Sequence, residues 1–334
     1  MNGLQLIATG GALPGRTVTN EELSRTVDTS DEWITTRTGI RARHWCTEEE
    51  SAATLAIAAA KQALERSGLS PQDIACCVCA TLSAPDATPS VACQVQRALS
   101  LPENRPALDV NAACSGFIYG TAVARGLMAT LGGRYALVVG CEALSRLMDQ
   151  TDRSTCVLFG DGAGAVLLEA TEEENVGVVN SYMRTDGKGL PFLHMKAGGS
   201  VCPPSKFTVD HRLHYLHQEG RTVFRYAVTN MGDDVTEVMK MNNLTVDDVN
   251  WVIPHEANLR IIEAVTKRVG LPMDKVVVNI ERYGNTSAAT IPLALWDHEK
   301  NLKKGDNVIF TAFGAGFVHG ASFYKWAYDG AAVK

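Results

Sequence analysis

The chain carries a weathered internal repeat. Residues 68–80 (GLSPQDIACCVCA) align without a gap against 243–255 (NLTVDDVNWVIPH). Each copy has a hydroxyl at a capping position, Ser70 or Thr245, an acid three residues on, Asp73 or Asp248, and then an apolar strand. A helical pattern precedes each: SAATLAIAAAKQALERSG, stopped by Gly68, and TVFRYAVTNMGDDVTEVMKMN. The register runs on through LSLPENRPALDVNAACSG beside VGLPMDKVVVNIERYGNTSA, which sets Cys114 opposite Asn285 at the starts of equivalent helices. Further along, LVVGCEAL matches VIFTAFGA and GAGAVLLEA matches VHGASFYKWA. Four matches in one order specify a duplicated α/β unit, with halves 1–170 and 171–334 and strands such as YALVVG and NVIFTAF buried on both faces.

A duplicated unit packs about a pseudo-twofold axis. Equivalent strand and helix ends then converge near that axis, where α/β sheets take their ligands. The repeat alone therefore brings Cys114, of the first half, close to His255 and Asn285, of the second. The length fits this division, since 334 residues exceed what one hydrophobic core usually serves.

The three residues stand in chemically suggestive places. Cys114 lies between a strand ending near Val110 and a helix from about Ser115 to Leu131, among small residues that permit a tight turn. A thiol there meets unpaired N–H groups and the positive end of the helix dipole, which lower its pKa and make a nucleophile; the alternative is an inert, buried cysteine. His255 directly follows the apolar run VNWVIP, and Asn285 follows Gly284, whose freedom suits a turn, so that Asn285, Thr286 and Ser287 offer helix caps.

Other features carry less. The remaining cysteines of the nine lack paired metal spacing, and Cys76, Cys77 and Cys79 sit in an apolar strand as small hydrophobes. FGDGAGA has the look of a phosphate loop without its Lys-Ser/Thr ending, and reads as close backbone packing. His211, His214 and His217 have helical spacing but fall in a polar, Pro-containing stretch, 186–220, that reads as a loop over the site. A formal charge of −6 argues against nucleic acid and anionic membranes as partners. With no signal peptide and no 18-residue apolar run, the expected location is the cytoplasm.

Six segments together resemble the β-ketoacyl-acyl-carrier-protein synthase III family of the thiolase fold, over nearly the whole chain. They are DTSDEWITTRTGIRAR (28–43), AACSGF (112–117), TDRST (151–155), FGDGAGA (159–165), PHEANLRI (254–261) and GNTSAA (284–289). The resemblance implies layered α-β-α-β-α architecture and a decarboxylative condensation of an acyl coenzyme A primer with malonyl carrier protein, starting fatty-acid chains. It makes Cys114 the acylated nucleophile, His255 and Asn285 the decarboxylation pair, and the N–H groups of Cys114 and Ala315 the oxyanion site. Trp33 and Arg153 would flank the adenine of coenzyme A, with Arg37 near its phosphates. Arg225, Arg260, Lys267 and Arg268 would receive the acidic carrier protein. Family members with short primers often carry Phe where this chain has Thr88, a residue that closes the partner subunit's acyl pocket in a homodimer; longer primers are therefore expected, unless a residue such as Leu193 fills the space. No metal or redox cofactor is implied.

Two positions depart from the family pattern. Glu256 replaces a Gln beside the histidine, which adds a negative charge near the histidine or the carrier path, and Ala315 replaces the middle glycine of a GGG turn. Related enzymes of the same fold remain alternatives: a thiolase, a hydroxymethylglutaryl-type synthase or a synthase of secondary metabolism. A thiolase would need a second cysteine near residue 314, and FGAGF has none. A catalytically silent subunit would have no use for all three of Cys114, His255 and Asn285.

Overall fold

The computed structural model describes residues 3–332. Nine strands form one hydrogen-bonded sheet in the order Trp251–Pro254, Asn307–Gly314, Val318–Lys325, Gly177–Thr185, Gly3–Ala12, Gly162–Thr171, Tyr135–Glu142, Ile74–Ala80 and Ala107–Val110. The order is palindromic about its centre, as a duplication requires. Gly3–Ala12, Gly162–Thr171, Tyr135–Glu142 and Ile74–Ala80 correspond one by one to Gly177–Thr185, Val318–Lys325, Asn307–Gly314 and Trp251–Pro254. The two sets are joined through a single parallel pairing, Leu4 with Gly177.

Local sequence explains the elements. The Ala52–Ser67 helix starts at Ser51, whose hydroxyl accepts from the Thr54 N–H in a capping box, and stops at Gly68 in the left-handed conformation. Its alanines lie against the first sheet half so closely that a Cβ on Gly10 would fall 2.1 Å from the Ala59 carbonyl oxygen. The aligned acids of the repeat do the same work, Asp73 accepting from the Ser70 N–H and Asp248 from that of Thr245.

Helices Gly116–Leu131 and Thr290–His298 form the middle layer. They pack on strands of both sets, while Ala52–Ser67 covers the outer face of the first set and Gly220–Met241 that of the second. The result is helix, sheet, helix pair, sheet, helix. Phe117, Ile118, Ile291, Leu295, Val308 and Phe310 belong to one buried cluster at this centre.

Two expectations change. The Ala107–Val110 strand has no counterpart strand, because its repeat partner near 276–279 makes only one bridge, Val252 to Val276. The backbone there turns instead toward the Glu256 carboxylate. The 186–220 stretch also carries more structure than a loop: a short helix, Lys206–Asp210, and a two-stranded ribbon pairing His217 with His194 and Gln218 with Leu193.

Candidate active site

The repeat register matters first. Ala113 and Ser287 are non-glycine residues with positive φ, 44° and 50°, each opening a single 3₁₀ turn, Ala113–Ser115 and Ser287–Ala289, before a middle-layer helix. The Asn111 Oδ1 accepts from the Ala113 N–H at 3.4 Å, and the Asn285 Oδ1 from the Ser287 N–H at 2.9 Å. Asn111 is thus the structural counterpart of Asn285, and Cys114 corresponds to Ala288. The alignment that set Cys114 opposite Asn285 is three residues out, because the turns match in backbone geometry while their side chains have diverged.

The convergence holds nonetheless. Cys114, His255, Asn285 and Ala315 line one cavity of about 270 Å3, together with Trp33, Arg37 and Arg153. His255 and Asn285 are buried, whereas Arg37 and Arg153 are exposed, so the cavity runs from a cationic mouth to an uncharged floor. Contact between the halves is tight here: a Cβ on Gly314 would lie 2.6 Å from the Cys114 nitrogen, and the Ser115 hydroxyl donates to the Val318 carbonyl.

Electrostatics revise the sequence expectation for the thiol. Burial pushes Cys114 up to about 12 rather than down, the Ser287 hydroxyl opposing only in part. Burial also drives His255 down to about 3, which keeps the imidazole neutral. His255 hangs from the end of its strand by an N–H to the Thr311 carbonyl, 2.7 Å, and its Nδ1 has no hydrogen-bond partner. Asn285 is held through both backbone groups, its N–H on the Leu158 carbonyl and its carbonyl accepting from Gly160. Since its Oδ1 accepts from Ser287, the side chain offers a ligand its Nδ2 hydrogens.

At the mouth, Trp33 lies on the Asp31–Thr38 helix, capped by Ser30. The Arg37 and Arg153 guanidinium carbons stand 4.6 and 4.8 Å from its ring centre. Arg153 also donates to the Asp28 carbonyl at 2.6 Å.

Several expected residues lie elsewhere. Arg225, Lys267 and Arg268 are exposed and outside the cavity, while exposed Arg260 lines it. Arg268 is ion-paired with Asp233 at 2.7 Å, which masks part of its charge. Thr88 is exposed on a loop outside the cavity, and Leu193 lines the cavity. His211 is stacked on Phe207 and His217 tilted over His194; among the described residues no His, Cys, Asp or Glu cluster is placed to hold a metal. FGDGAGA packs as expected, since a Cβ on Gly160 would meet the Tyr283 carbonyl at 2.2 Å and one on Gly164 the Leu293 nitrogen at 2.6 Å.

Glu256 needs correction. It is fully buried and turned from the cavity, accepting from the Asn279 and Ile280 N–H groups at 2.9 and 2.6 Å, and burial raises its pKa to about 8. It anchors the backbone leading to Asn285 and adds no charge at the histidine. Two residues bear on the site in ways the sequence did not show: Ser287, read there only as a helix cap, on the cavity wall, and Glu142, unnoticed, behind it. A signal for the second existed, an acid at the end of a wholly apolar strand whose repeat counterpart is Phe313.

The chain matches known proteins over almost its entire length. Residues 108–187 and 239–326 match the family descriptions "3-Oxoacyl-[acyl-carrier-protein (ACP)] synthase III" and its "C terminal" part. It is 54% identical over 324 residues to "Beta-ketoacyl-[acyl-carrier-protein] synthase III 2" of Bacteroides thetaiotaomicron, covering 96% of each chain. Identity to "Beta-ketoacyl-[acyl-carrier-protein] synthase III" of Phocaeicola vulgatus is 53%, again with 96% of each covered. The crystal structure of 3-oxoacyl-[acyl-carrier-protein] synthase III from Aquifex aeolicus superposes with a TM-score of 0.89 at 40% identity, covering 97% of this chain and 100% of that one. With the thiolase-type layering, the cavity and these relatives in agreement, the chain belongs to the β-ketoacyl-acyl-carrier-protein synthase III family of acyltransferases.

Proposed function

We propose that this chain condenses an acyl coenzyme A primer with malonyl carrier protein through a covalent intermediate on Cys114. The observation that carries the reading is one cavity holding Cys114, His255 and Asn285 beneath an aromatic and cationic mouth. Halves 1–170 and 171–334 each contribute part of it. Trp33 and Arg153 flank the adenine, and Arg37 faces the coenzyme A phosphates. The Cys114 thiolate attacks the thioester carbonyl, and the N–H groups of Cys114 and Ala315 receive the oxyanion. After coenzyme A leaves, malonyl carrier protein enters and loses carbon dioxide. The enolate oxygen takes neutral donors from His255 and Asn285, and its carbon attacks the acyl-cysteine. The steps as written call for no metal or redox cofactor, and a cytoplasmic location goes with such substrates. Mass spectrometry tests the reading: one acyl group should arrive with acyl coenzyme A and depart as β-ketoacyl product once malonyl carrier protein is added. Absence of acyl mass would overturn it.

Carrier docking is assigned to Arg225, Arg260, Lys267 and Arg268, since an acidic partner meeting a chain of net negative charge needs a local positive field. Lys267 and Arg225 are exposed, outside the cavity and, among the described residues, without an ion-pair partner, whereas Arg268 pairs with Asp233 and Arg260 also lines the coenzyme A path. Lys267→Glu is expected to raise KM for malonyl carrier protein several-fold, more at low salt, and leave KM for acyl coenzyme A unchanged. Equal rises for both substrates would remove the docking assignment.

Thr88 is proposed to close the acyl pocket of a second copy in a homodimer, which suits its exposed position away from its own cavity. With Thr in place of a ring, the pocket accepts primers beyond acetyl and propionyl, each added methylene contributing up to about 0.8 kcal/mol. In a series of straight and branched acyl coenzyme A donors, Thr88→Phe is expected to shorten the range. A wild type already confined to acetyl and propionyl would refute this, with Leu193 as the filling side chain.

A further inference from the structure

Acylation requires the Cys114 thiol to lose its proton, and the cavity has to supply something to take it. His255 is poorly suited, since burial drives the imidazole toward its neutral form and far below neutral pH in proton affinity. The turn that carries Ser287 suggests another route. Ser287 is held at positive φ, 1% exposed, and its Oγ is buried without a completed hydrogen bond. A buried hydroxyl with no partner is costly, and in a native fold it asks for a role. The turn that carries it, Ser287–Ala289, packs against both the Ala113–Ser115 turn and the Tyr135–Glu142 strand, and Ser287 lines the cavity beside Cys114, where its hydroxyl favours the charged form of the thiol and of the Glu142 carboxyl.

Glu142 stands at the end of its strand, wholly buried. Its carboxyl accepts from the Ser83 hydroxyl, the Thr81 hydroxyl at 3.3 Å and the Leu82 N–H at 3.2 Å, with the Ala288 N–H also bearing on it. Cys114 is the titratable group facing it across the Ser287 turn, and among the described residues no cation pairs with it. The carboxylate is therefore supported by donors yet left without a counter-charge, the condition in which a buried acid takes and returns a proton near neutrality. Burial against these donors brings it to about 7.

We propose that Ser287 and Glu142 form a proton relay that activates Cys114. This deepens the reading above and rests on Cys114 being the acylated nucleophile. As the Cys114 sulfur bonds to the thioester carbonyl carbon, its proton passes to the Ser287 oxygen while the Ser287 proton passes to the Glu142 carboxylate. When the carbon–sulfur bond to coenzyme A breaks, Glu142 returns the proton through Ser287 to the departing thiolate. The net change is transfer of the acyl group, with no proton gained or lost. In this relay Ser287, on the cavity wall with Cys114, passes the proton, and Glu142 acts through it as a positioning and proton-holding residue.

The test is the pH profile of acyl-enzyme formation in single turnover, read by rapid quench and mass spectrometry on the full chain. In wild type the rate should rise as the pH passes upward through about 7, where Glu142 loses its proton. Ser287→Ala and Glu142→Gln should each lose that rise and acylate about 100-fold more slowly at neutral pH. Decarboxylation of malonyl carrier protein by enzyme already acylated should fall far less than acylation does. A slower variant whose profile still rises through the same pH marks a structural role and overturns the relay. Ser287→Ala removes one oxygen and keeps the test open if Glu142→Gln does not fold. Acyl mass on Cys114→Ala would instead overturn the nucleophile assignment, a separate result from loss of the relay.

Discussion

Cys114→Ala is expected to gain no acyl mass from any acyl coenzyme A and to release no β-ketoacyl product. Of the nine cysteines, Cys114 is the one that lines the cavity among the described residues. Cys46, Cys76, Cys77, Cys79, Cys141 and Cys156 are buried away from it, and Cys93 is exposed. Burial pushes the thiols of Cys46, Cys76 and Cys156 upward as well, but none of them lines the Cys114 cavity, and the one that Cys76 borders, of about 10 Å3, is too small for a thioester. Removal of a covalent nucleophile elsewhere costs on the order of 10⁶ in kcat. Intact-mass spectra of both proteins after incubation with substrate decide the matter, and an acyl adduct on the variant would end the assignment.

His255→Ala and Asn285→Ala are expected to separate the half-reactions. Each should still acquire the acyl group, because thioester attack uses Cys114 and backbone N–H groups. Each should lose malonyl decarboxylation by about 10²–10³, the usual cost of one donor aimed at developing oxyanion charge. The donors act on the same oxygen, so the double variant should fall short of the product of the single losses. The histidine brings a further check. With its pKa lowered to about 3 by burial, it stays neutral on both sides of the ordinary histidine value, and decarboxylation should show no step near pH 6.5. Release of carbon dioxide from labelled malonyl carrier protein, measured on pre-acylated enzyme, reads all of this. A variant that fails to acylate would show that the residue serves the first step instead.

How far the site was legible depends on the range of the information. The capping box at Ser51, the stop at Gly68 and the apolar run of Ile74–Ala80 are local, and each appears as its pattern demands. The meeting of Cys114 with His255 and Asn285 was legible for a different reason, that a repeat carries long-range geometry in a linear signal. Its register was not, because conformation had been kept at Ala113 and Ser287 while the side chains diverged. Arg268 looked like a free cation of its helix until the fold brought Asp233 beside it from the Gly220–Met241 helix.

By itself the sequence determined most of the elements and the duplicated layering, and it pointed to the residues proposed here as reactive, since periodicity, capping and internal similarity act between neighbours or copies. Only the tertiary structure decided the charge states. The thiol is raised, the imidazole neutral and two glutamates lifted toward neutrality by water excluded from around them. That exclusion is made by segments far apart in the chain, such as Thr81–Ser83 around Glu142 and Asn279–Ile280 around Glu256. Desolvation is a property of the assembled interior, so no window of sequence contains it.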